Sequence, residues 1–168
     1  MSTKTAQAPA SLASDGRHDF DFLVGRWTLA HCRLRERLVG DTHWEEFAGR
    51  CEASLIIGGL GNVDDCVLEL PDGSYRGATL RLFNPATRIW SIWWIDARNG
   101  TLGAPVHGRF ERGVGTFLGD DTHAGRPIRV RFVWSQITAR SARWEQAFSA
   151  DGGESWEMNW LNTLERIT

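Results

Sequence analysis

From Arg26 to Arg166 the apolar residues recur at every second position, and no segment holds a 3.6-residue period over ten residues. Side chains alternate strictly across a strand, so this pattern commits the chain to β-structure with one apolar face. Turn formers cut it at Gly58-Gly59-Leu60-Gly61, Pro71-Asp72-Gly73, Asn84-Pro85, Arg98-Asn99-Gly100, Ala124-Gly125 and Asp151-Gly152-Gly153. The expected strands are Arg26–Glu36, Thr42–Ile57 with a bend at Gly49, Val63–Leu70, Tyr75–Phe83, Ile89–Asp96, Val106–Arg112, Gly115–Leu118, Ile128–Trp134, Ala142–Phe148 and Trp156–Arg166. About ten strands on short links must dispose of two sheet edges, and closure into an up-and-down barrel removes both. A sandwich needs longer crossovers. The expected fold is all-β, a single antiparallel up-and-down barrel over residues 18–168. Nine Trp and eighteen Gly against five Pro and two Met agree with strands, tight turns and aromatic packing.

Residues 1–17 are expected to be a disordered tail, because Met1–Gly16 is small, polar and aperiodic and lacks the apolar segment of a secretory signal. His18–Val24 carries apolar residues at 20, 22, 23 and 24 just before Gly25. Too short for an amphipathic helix, it is expected to form one or two helical turns that plug one barrel end.

Charge and cysteine usage exclude several classes. Nineteen basic and twenty-one acidic residues give a net charge of −2 with no clustering, which argues against nucleic acid and against a polybasic membrane patch. No apolar run approaches the ~20 residues of a membrane helix. Cys32, Cys51 and Cys66 are odd in number and lack C-x-x-C spacing, so neither a disulfide scaffold nor a thiolate zinc site is expected, and free thiols suit a cytoplasmic protein. His31, His43 and His107 lie on different strands without H-x-H or H-x-x-x-H pairing, so no metal is expected. A nucleophile elbow G-x-S-x-G is absent, and the 58–61 glycines lack the Lys of a phosphate loop.

Gly25-Arg26-Trp27, at the mouth of the first strand after a short helical turn, resembles the G-x-W signature of lipocalins and their calycin relatives. That resemblance implies a Trp packed across the closed end and an Arg of the last strand stacked on it, and Arg166 has the matching position and parity. Most of the span from His18 to Arg166 also resembles a bacterial family of lipocalin-like domains with no agreed activity, through HDFDFLVGRW, WEEF, TLRLFNPATRIWSIWW and RWEQAFSADGGESWEMNW. It implies a lipocalin/fatty-acid-binding-protein-like architecture and transfers no site residues. Haem-binding nitrobindins share the barrel shape but carry a late axial His, whereas no His follows His123 here, so no cofactor is expected. Ser149–Trp156 matches the S-x-D-x-G-x-S/T-W box of sialidase propellers; its physical content is a capped hairpin, and a single box cannot build such an enzyme.

Strand parity selects the candidate ligand-binding residues. Trp27, Leu29, His31 and Arg33 share one face, as do Trp90, Ile92, Trp94 and Asp96. On the second strand Trp44, Glu46 and Ala48 are taken as inward, with His43, Glu45 and Phe47 nearly as good. Trp144, Gln146 and Phe148 follow on the penultimate strand, and Trp156, Met158, Trp160, Asn162, Leu164 and Arg166 on the last. Arg81 is open between the inner face and the rim, with its neighbours Leu80 and Leu82 arguing that it points outward. The result is a polar end of His31, Arg33, Glu46 and Asp96 above an aromatic floor of Trp94, Trp144 and Trp160. The leading expectation is a binding barrel for a small apolar or aromatic molecule. A cofactor-independent isomerase or cyclase with Glu46, Asp96 or His31 as its acid/base group is the second. The third is a filled barrel that acts only through a homodimer or partner, with Ile89, Trp93 and Ile95 as the contact face.

Overall fold

Every wall strand finds an antiparallel partner on both sides. The computed structural model describes residues 15–167, in which a 3₁₀ turn (Asp21–Leu23) leads into β1 (Gly25–Leu34) and β2 (Trp44–Ile56). A second 3₁₀ turn (Ile57–Gly59) precedes β3 (Gly61–Leu70), β4 (Gly73–Asn84) and β5 (Ile89–Asp96). Then come β6 (Thr101–Leu102), β7 (Val106–Glu111), β8 (Val114–His123), β9 (Arg126–Ser135), β10 (Ser141–Ser149) and β11 (Glu157–Arg166). Sequential neighbours pair throughout, β7 with β5 across the two-residue β6, and β1 pairs β11 from Trp27↔Arg166 to Arg33↔Trp160, which closes the ring. Ten strands form the wall and β6 flanks the end of β5. No helix among the described residues is long and apolar enough to cross a membrane.

The 3₁₀ turn caps the end where β1 starts. Phe20 is fully buried, meeting Trp90 and Phe110 edge-on at 5.0 and 4.9 Å and stacking on Phe117 at 5.5 Å. Trp27 is equally buried and donates from Nε1 to the Leu23 carbonyl at 2.7 Å. The Arg166 guanidinium lies 4.2 Å from its ring and donates to the carbonyls of Phe22, Val24 and Ala139, so one side chain ties first strand, last strand and plug together. Gly25, at φ +118°, is required because a Cβ there would sit 2.7 Å from Arg166 Nη1. Residues 1–14 of the expected tail lie outside the described residues, while the Gly16 carbonyl accepts a 2.9 Å bond from Trp90 Nε1.

One open parity assignment is resolved and one parity expectation is corrected. Arg81 points inward, 3% exposed, and pairs with Asp64 at 2.7 Å and Asn62 at 2.9 Å beneath the rings of Phe20 and Trp134. Its flanking leucines sit on the half-buried outer face; with Asp64 and Asn62 waiting on β3, the inward charge is compensated. On β11 the register shifts opposite Gln146/Ala147, and the extra residue, Asn159, turns inward and is fully buried. Met158 therefore faces solvent, and Trp156 stacks outside on Arg131 at 4.4 Å.

A two-tier cavity inside the barrel

Trp94, Trp144, Trp160 and Phe132 form a waist across the interior, lining an inner chamber of about 80 Å³ on one side and a mouth of about 260 Å³ on the other. Trp144 meets Phe132 and Trp160 edge-on at 5.0 and 5.6 Å. Trp94 reaches inward because Gly77 on β4 has no Cβ to block its ring. Ligand pockets usually start near ~300 Å³. The mouth falls just short of that, and mouth plus chamber reach it.

The chamber is apolar apart from a few groups. His31 stacks on Phe47 at 4.6 Å and accepts a 3.2 Å hydrogen bond at Nδ1 from Trp160 Nε1. Indole N–H only donates, so the His31 proton sits on Nε2, which has no partner. Burial, and then the charge of Arg33, pushes the His31 pKa down to about 4, so the ring is neutral near pH 7. Across the β1–β11 ladder Asn162 leaves Oδ1 without a partner. Cys51 and Cys66 face each other across β2 and β3; contact with Cys51 and burial push the Cys66 thiol far up, and it donates to Asp64. All three cysteines are free.

Apart from the Arg81–Asp64 pair, which lines the chamber, the mouth holds the charged groups. Asp96 is gripped by Arg98, whose Nη2 and Nε reach it at 2.6 and 3.0 Å, and this fork holds the Asp96 carboxyl below its ordinary range. Arg98 also covers Tyr75 at 3.8 Å. Arg33 lies between the rings of Phe47 and Trp160, 5.1 and 5.2 Å from their centroids, with Glu45 3.6 Å away. Gln146 lines the same space and donates to Asn159 at 2.9 Å.

Of the residues expected at the site, the structure brings together Arg33, Trp94, Asp96, Trp144, Gln146 and Trp160 at the mouth, with His31 below the waist in the chamber. Three are placed elsewhere. Trp44 and Glu46 are on the exposed outer face, because β2 turns Phe47, Gly49, Cys51 and Ala53 inward with no register shift at Gly49. That parity buries Phe47 on His31 and leaves Glu45 at the rim, 3.4 Å from Arg35 as well as near Arg33. Trp90 lies deeper, packed on Phe20 and Phe83 at the closed end. Ile89, Trp93 and Ile95 are half-buried on the outer wall. Sequence parity missed Arg37, Tyr75, Arg81 and Asp64; the signal for the last was Asn62 and Asp64 two residues apart on an otherwise apolar face.

No protein-family model matches the chain, and no curated protein is similar to it in sequence. Among solved structures, that of an S-type phycobiliprotein lyase, CpeS, from Guillardia theta superposes with a TM-score of 0.62 at 12% identity, covering 92% of this chain and 96% of that one. At that identity the likeness is one of fold: a lipocalin-like barrel.

Proposed function

We propose that the barrel binds a small, largely apolar or aromatic molecule against the tryptophan waist, as a cytoplasmic member of the calycin group. The observation that carries this is the waist itself: four aromatic side chains shared by the chamber and a polar-rimmed mouth. Large flat rings lining open space, with few polar groups around them, suit ligand capture better than pure packing. Three free thiols favour a reducing compartment.

The isomerase or cyclase alternative is less well supported. Glu46 lies outside the barrel, Asp96 is held ionised by Arg98, and His31 is neutral with its only acceptor nitrogen engaged. A general acid/base needs a free proton site near the working pH. The name of the fold neighbour, a lyase, is what supports keeping this alternative.

The test is a titration of apolar aromatic probes followed by tryptophan emission, with mass spectrometry of small molecules retained by protein taken from cells. Trp144→Ala is expected to weaken binding about tenfold or more, on the scale of removing a large aromatic contact, while Trp93→Ala on the outer wall leaves it unchanged. Equal effects of the two substitutions, or no probe binding at all, refute the proposal.

A further inference from the structure

Three guanidiniums line the mouth, and their partners are unequal. Arg98 is satisfied by Asp96. Arg33 has Glu45, at 3.6 Å and shared with Arg35, and the Tyr75 hydroxyl beside it, while its Nε is buried without a hydrogen bond. Arg37 has no carboxylate within ion-pairing distance and no hydrogen bond among the described residues, and its Nε is buried too. Burial, and then repulsion from Arg33, pulls the Arg37 pKa down, while Tyr75, Glu157 and Glu45 oppose this from a distance. A partly buried, uncompensated cation beside a second cation costs stability.

The segment that carries Arg37 is nonetheless held firmly. Arg35 N bonds the His43 carbonyl at 2.9 Å, and Asp41 accepts from the backbone of Glu36 and His43 and from the His43 ring. Leu38 N donates to both Glu157 carboxylate oxygens, at 2.9 and 3.1 Å. Arg37 is thus presented over the opening by a pinned loop. Acidic groups of the mouth on β8 are Asp120, which pairs with Arg129 at 3.3 Å, and Asp121, which accepts from the Thr122 backbone.

We propose that Arg33 and Arg37 form a receptor for the carboxylate of an amphipathic organic acid whose apolar body rests on Trp94, Trp144 and Trp160. This rests on the binding function proposed above and adds the ligand's charge and orientation. Two guanidiniums with free N–H groups match the lone pairs of a carboxylate, and the low-polarity waist directly below suits an aromatic or alkyl body. The chamber offers one unpartnered donor, His31 Nε2–H, and one unpartnered acceptor, Asn162 Oδ1, so the buried end of the ligand is apolar or carries a single small polar group.

Calorimetric titration of benzoate, 2-naphthoate and dodecanoate against their primary amides separates charge from shape. At least one acid is expected to bind about tenfold or more tighter than its amide, the scale of a charge-assisted hydrogen bond, with an advantage that shrinks as salt rises. Arg37→Gln is expected to abolish most of that advantage and leave amide binding alone. The same substitution is expected to keep or raise the melting temperature of the ligand-free protein, since it removes an uncompensated charge. Amides that bind as well as the acids overturn the carboxylate receptor but leave the binding barrel standing. Failure of all six probes overturns both. An acid preference that survives both Arg37→Gln and Arg33→Gln, or a drop in stability of Arg37→Gln with equal losses for acid and amide, assigns these arginines another role and refutes the proposal.

Discussion

Replacing Arg81 by Met tests the physics of the closed end most directly. The guanidinium is 3% exposed and Asp64 is 4% exposed, so neither charge is solvated by water. Arg81→Met preserves most of the side-chain volume beneath Phe20 and Trp134 but strips the donors from Asp64 Oδ2 and Asn62 Oδ1. Leaving one member of a buried ion pair typically costs ~3–5 kcal/mol, most of it from the stranded charge. Against a total of ~5–15 kcal/mol this is a large share, and at ~2–4 °C per kcal/mol it lowers the melting temperature by roughly 6–20 °C. The double variant Arg81→Met/Asp64→Asn is the informative control. Its amide still accepts the Thr79 backbone bond that Asp64 Oδ1 receives at 2.9 Å, but it carries no orphan charge. The double variant is therefore expected to be more stable than Arg81→Met alone, with a coupling of ~1–3 kcal/mol in urea denaturation. Additive losses, or an Arg81→Met melting temperature within about 2 °C of the native protein, refute the claim that the pair is a coupled buried charge.

Arg166→Lys keeps the charge but cannot fork onto the Phe22 and Val24 carbonyls while covering Trp27, so a loss of ~2–4 kcal/mol is expected in urea denaturation. Trp27→Ala should cost ~3–5 kcal/mol by the same assay. His31 titrates near 6.5 in the unfolded chain and at about 4 in the barrel, so between those values the unfolded chain binds the extra proton. Stability is then expected to fall as pH drops from 6.5 to 4, by ~2–4 kcal/mol, and His31→Phe should flatten that slope in a pH series of denaturation curves. Asp151 caps its hairpin by accepting from the Ser149 and Ser155 hydroxyls and the Ser155 amide, so Asp151→Ala should speed proteolytic cleavage at 149–156 severalfold without changing probe affinity.

Local pattern determined most of the wall. Period-two runs between Gly, Pro and Asn turns mark ten strands because a half-buried strand must alternate. The pairing of Trp27 with Arg166 is implied by the resemblance of Gly25-Arg26-Trp27 to the lipocalin signature, and the β1–β11 ladder brings the two together. Inward Trp94, Trp144 and Trp160 followed from the same rule. The rule misleads where one large aromatic residue at a strand end outweighs the rest, and fails where the count of residues changes. On β2, Trp44 suggests one face, but Phe47, Gly49, Cys51 and Ala53 alternate with Glu46, Arg50 and Glu52, and Phe47 turns inward onto His31. On β11 the inserted Asn159 reverses Trp156 and Met158, which no alternation can announce. Charges are decided last of all. Arg81 lies inside because Asp64 and Asn62 approach it across the sheet, and Arg37 overhangs the mouth because Glu157, from the far end of the chain, pins a loop that Asp41 only shapes locally. Whether a charge can be buried depends on the partners that the closed barrel brings to it, and those partners are distant in sequence.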